Sequence, residues 1–193
     1  METVKLRRKY FEIVEQISLD ISLCKYKDKF YDVCKFDPKT IEGKDLIFSI
    51  KKISSSGVKA PKLYIVDKKA GLYAIEHIDG IKASEFLSKE NMTDDLYESL
   101  FKNAFVAKVS GMTLNYEPEN WKIVDNDLYY VYPYFIRYQK EKDLAEKYIR
   151  LWFNTKDLDK YLSNLGIFYD KSRIKDEYFT NKEIVLAVCK YYR

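Results

Sequence analysis

The chain has 193 residues, 47% hydrophobic and 33% charged, with a formal net charge of +4. That length fits one domain or two lobes sharing an interface, and the apolar share is enough to bury a core. Lys and Asp/Glu alternate along most of the chain rather than forming a basic stripe, which argues against direct nucleic-acid binding.

No leader-like apolar region and no run of about 18 apolar residues is seen, so no membrane segment is expected. Cys24, Cys34 and Cys189 form no C-x-x-C pair, and the single histidine, His77, cannot complete a metal cluster with them. Reduced thiols in a cytoplasmic protein are the expectation.

Taken in order, Tyr10 to Leu23 alternates loosely between apolar and polar residues, and Phe30 to Phe36 follows a charged turn as another strand. Lys39 to Ser56 reads as a helix, with Thr40 or Asp45 as cap and a stripe of Leu46, Ile47, Ile50 and Ile53. Two strands follow, one after the Gly57 to Pro61 turn and one over Leu72 to Ile75. Thr93 opens a helix striped by Leu96, Leu100, Ala104 and Ala107, which Gly111 ends. Trp121–Val124 and Leu128–Val131 flank an Asp125-Asn126-Asp127 turn, a hairpin signal. Helices are expected over Lys140 to Phe153, over Asp157 to Leu165, and from a capping-box pattern at Thr180 to Glu183 through Tyr191.

Pro118-Glu119-Asn120, just before a strand, resembles the end of the protein-kinase catalytic loop, H-R-D-L-K-P-E-N. Gly57-Val58-Lys59-Ala60-Pro61 and Ile75-Glu76-His77-Ile78-Asp79-Gly80 are similar to the turn and hinge of the small KEOPS-complex and RIO-type kinases. The resemblance implies an α+β, protein-kinase-like fold of two lobes. Residues 1–75 would form a β-rich lobe, 76–80 a hinge, and 81–193 a helical, truncated lobe.

It also implies roles. Lys35 would grip nucleotide phosphates, Ile75 would be the gatekeeper, and the backbones of Glu76 and Ile78 would face an adenine edge. Asn120 falls on the magnesium-binding Asn, Asn115 on the catalytic Asp, and Tyr132 on the metal-binding Asp. Asn115 cannot accept a proton at neutral pH, and a phenol is a poor magnesium ligand. The phosphate loop also lacks its glycines, since the first glycine of the chain is Gly43. The family's cofactors are ATP and magnesium; with these losses the chain is expected to hold them weakly or not at all. The expectation is therefore a pseudokinase that binds a protein partner, the alternative an atypical ATP-dependent phosphotransferase.

Overall fold

The computed structural model describes residues 2–192. It is an α+β chain of two compact units. One takes the described residues through Ser55 together with Ala60–Ile78; the other takes Ser56–Lys59 and the chain from Asp79 onward.

The first unit is a six-stranded antiparallel sheet with one helix. Its elements are β1 (Thr3–Leu6), β2 (Lys9–Ser18), β3 (Ile21–Tyr26), β4 (Lys29–Lys35), α1 (Ile41–Ser56), β5 (Leu63–Asp67) and β6 (Leu72–Glu76). The strand order is β1-β2-β3-β4-β6-β5. The sheet curls: β1 and β5 are its two edges, yet the Arg7 amide after β1 donates to the Asp67 carboxylate at the end of β5, 2.6 Å away.

Strand alternation sends side chains to two faces. Leu6, Phe11, Cys24, Tyr31, Val33 and Ala74 fill the inside of the curl. Cys34 and Tyr73, from the other face, meet Ile47 and Ile50 of α1, as the helical stripe requires. Burial pushes the Cys24 and Cys34 thiols up to about 11.

The second unit begins with β7 (Ile81–Lys82), α2 (Ala83–Lys89) and α3 (Asp94–Val109). Thr93 caps α3 by accepting from the Leu96 amide at 3.3 Å, and Gly111, at φ +72, takes the left-handed turn that ends it. Next come β8 (Met112–Thr113), a 3₁₀ turn over Pro118–Asn120, β9 (Trp121–Val124), β10 (Asp127–Tyr130) and β11 (Ile136–Arg137). Asp125 and Asn126 both have positive φ, the type I′ signature that matches strand twist. Strands β10-β9-β7 form one small sheet and β11-β8 another. Gly80 is required by close approach: a Cβ there would lie 2.6 Å from the Ile123 carbonyl oxygen.

Buried Asn103 on α3 explains why Ser56–Lys59 belongs with this unit. Its Oδ1 accepts from the Lys59 amide at 2.7 Å, and its Nδ2 donates to the Ser99 and Leu128 carbonyls.

Two helical expectations are corrected. Lys140 to Phe153 is no α-helix: it is a 3₁₀ turn over Lys140–Lys142, a π-helical turn over Leu144–Tyr148 and a 3₁₀ turn over Ile149–Trp152. Asp143 interrupts it. This residue is buried and extended; its carboxylate accepts from the Leu144 amide and from the hydroxyls of Tyr138 and Tyr192. After α4 (Lys156–Asn164), capped by Thr155, comes α5 (Glu177–Tyr191). It starts a turn before Thr180, because Asp176 caps it through the Tyr178 amide. Among the described residues no helix is long and apolar enough to cross a membrane.

Candidate functional site

The loop from Thr113 to Tyr134 in the second unit is held by aromatic side chains. The Trp121 indole donates to the Asn115 carbonyl at 3.1 Å, and the Trp152 indole to the Tyr116 carbonyl at 2.9 Å. The Tyr130 hydroxyl accepts from the Asn115 amide at 3.1 Å and donates to the Tyr134 carbonyl at 2.6 Å. Tyr116, Trp121, Tyr130 and Trp152 are all buried, so the polar edges of large rings define the path of the backbone. Desolvation raises the Tyr116 and Tyr130 hydroxyls well above the usual phenol range, which keeps both rings neutral.

Asn115 uses its side chain locally. Its Oδ1 accepts from the Glu117 amide at 3.1 Å, and its Nδ2 points to the Glu117 carboxylate at 3.4 Å, an Asx turn. Asn120 accepts the Val131 amide on its carbonyl at 2.9 Å, tying the loop to the end of β10. The Tyr132 ring is 40% exposed and packs against the rings of Tyr130 and Tyr134. A cavity of about 290 Å³ opens here, lined among others by Asn115, Tyr132, Tyr134, Tyr148, Lys142 and Lys147, and no acid lines it.

These residues do not fit magnesium, which needs hard oxygen donors. The Asn115 oxygen is engaged by a backbone amide, and Tyr132 offers a phenol. The Glu119 carboxylate is held by Lys82 and by the Ser84 hydroxyl at 2.8 Å. Burial pushes Glu119 up, but those two hydrogen bonds outweigh it and leave the group below the usual carboxylate range. Asp127 pairs with Lys59. Among the described residues no group of three His, Cys, Asp or Glu side chains could hold a metal ion.

In the first unit, Lys35 ends β4 on the face shared with Tyr31 and Val33, whereas α1 packs on the opposite face. Lys35 therefore meets no acid of α1. Its ammonium donates to the Leu19 carbonyl at 2.6 Å and lies 3.9 Å from the Asp20 carboxylate, in the β2–β3 turn. Ile75 packs partly buried against the α1 cluster. The Glu76 amide donates to the Lys62 carbonyl at 2.9 Å. Ile78 is the last residue of this unit.

Sequence reasoning gave His77 no role. The structure places its Nδ1 2.8 Å from the Asp32 carboxylate, with both side chains partly buried. Asp32 lies on the α1 face of β4, so the pair locks the end of β6 to β4. No sequence signal marks two residues 45 positions apart.

Compared with known proteins, the chain matches no protein-family model and no curated protein.

Proposed function

We propose that this chain is a kinase-like pseudokinase, a binding scaffold for a protein partner with weak or no nucleotide binding. The observation that carries this reading is the loop from Thr113 to Tyr134. It keeps the kinase order of loop, Pro118-Glu119-Asn120, strand, turn and strand, with Asn115 and Tyr132 where two acids would stand. The element order supports it too: a hairpin, a strand ending in Lys35, a helix, two strands, the Glu76 to Gly80 crossing and a long buried helix. Lys35, hydrogen-bonded to the β2–β3 turn, fits a chain that no longer grips phosphate. A protein partner fits the exposed Tyr178, Phe179, Val185 and Leu186 on α5.

Thermal melting with and without magnesium-ATP, followed by a phosphate-transfer assay, tests this. A ligand at 100 times its Kd contributes roughly 2.7 kcal/mol and a shift of several degrees; a shift below about 1 °C and no transfer are expected. A shift of several degrees that Asn120→Ala abolishes, with transfer to any acceptor, would establish the atypical phosphotransferase instead.

A further inference from the structure

The β1–β2 and β5–β6 turns of the first unit bring Lys5, Arg7, Arg8, Lys68 and Lys69 around one concavity of about 720 Å³. A single acid, Asp67, shares it. Asp67 is committed to the backbone: one oxygen accepts from the Arg7 amide at 2.6 Å, the other from the Lys69 and Ala70 amides at 3.0 and 3.1 Å. None of the five cations makes a salt bridge with a described residue. Five like charges held together repel one another, so the fold carries a cost here that a polyanion would relieve.

The turn geometry adds to this. Arg7 sits at φ +53, a left-handed conformation that a residue with a Cβ rarely adopts. The Asp67 carboxylate holds it there, so one side chain organises both turns and gathers cations 60 residues apart. One aromatic ring borders the cluster: Tyr10 is 60% exposed, with the Lys5 ammonium 5.3 Å from its ring centre.

The alternation of charge along the chain argued against a nucleic-acid surface, but the fold gathers cations from two distant segments, and we propose that these two turns bind single-stranded nucleic acid, the cations taking its phosphates and Tyr10 offering a stacking face to a base. Guanidinium forks and ammonium groups suit phosphate oxygens. Rings interleaved with cations are how sequence-tolerant single-strand sites gain affinity. An acidic peptide would use the charges but not the ring of Tyr10. The site does not depend on the kinase resemblance, and it goes beyond the protein-scaffold reading.

The test is fluorescence anisotropy of the full chain with a labelled 20-mer of oligo-uridylate across a salt series. Each phosphate contact on a single strand contributes about 0.7 to the slope of log K against log salt, so five contacts give about −3.5. Lys68→Glu/Lys69→Glu should weaken binding at least tenfold and flatten the slope to about −2. Lys51→Glu/Lys52→Glu, with the same change of net charge on exposed positions of α1, should stay within about twofold of the parent. Tyr10→Ala should lose about fivefold in affinity or more with the slope unchanged. If the reversed pair fails to fold, Lys68→Gln/Lys69→Gln is read in its place, with a slope near −2 still expected. An equal loss in the α1 control overturns the proposal, as does equal affinity for poly-glutamate. Capture by phosphatidylserine vesicles without oligonucleotide binding also overturns it.

Discussion

Tyr130 shows how one hydroxyl can govern a loop. It receives the Asn115 amide and donates to the Tyr134 carbonyl, and the side chain is 1% exposed. Tyr130→Phe keeps the ring and strands both partners. A buried group left unpaired costs about 1–3 kcal/mol, so urea unfolding should show a loss of that size. A change within experimental error would mean that solvent reaches the loop and substitutes for the hydroxyl. Asn115 and Tyr132 drew attention in the sequence, because the resemblance at Pro118-Glu119-Asn120 gives a reference for counting. That Asn115 would spend its side chain on Glu117 was not visible, since an Asx turn depends on the local backbone conformation.

Among the elements, the β5–β6 turn carries the clearest pH dependence. The Arg7 amide, and then those of Ala70 and Lys69, hold the Asp67 carboxyl below its ordinary value of 3.8. A carboxyl with a lowered folded pKa contributes stability that is complete above its unfolded value and lost as pH falls through the folded one. The stability gap between the parent and Asp67→Asn should therefore be constant near neutrality and shrink below about pH 3.8. Denaturant midpoints measured from pH 7 downward will show it, and a gap that widens on acidification would contradict the assignment. The hairpin of β9 and β10 was legible because Asp125 and Asn126 supply the positive φ values that a tight turn needs, although Asp127, expected in the turn, already opens β10. The stretch from Lys140 to Phe153 has helical periodicity yet breaks at Asp143, because the hydroxyls of nearby Tyr138 and of Tyr192, 49 positions away, make its burial tolerable. Strand β1 and helix α2 went unread; each is short, with little periodicity to find.

For the whole molecule, the three cysteines separate the units. Cys24 and Cys34 are buried in the first, while Cys189 is exposed in the second. A rise from 9.0 to about 11 lowers the thiolate fraction about a hundredfold at pH 8, before access is counted. Iodoacetamide should thus label Cys189 in the native protein and spare the other two until the curled sheet opens. Both tryptophans, Trp121 and Trp152, lie in the second unit, so fluorescence follows the other core. Rapid native labelling of Cys24 would show that the sheet interior is open to reagent.

By itself the sequence determined the alternation of strands and helices, the helix ending at Gly111 and a hairpin after Trp121. Each rests on periodicity, capping or turn chemistry within a few residues. Tertiary structure alone decided that Ser56–Lys59 joins the second unit through Asn103, and that Lys35 faces away from α1. It also paired His77 with Asp32 and gathered five cations around Asp67. These are contacts between residues far apart in the chain, formed when the sheet curls and the core closes, and no local pattern encodes them.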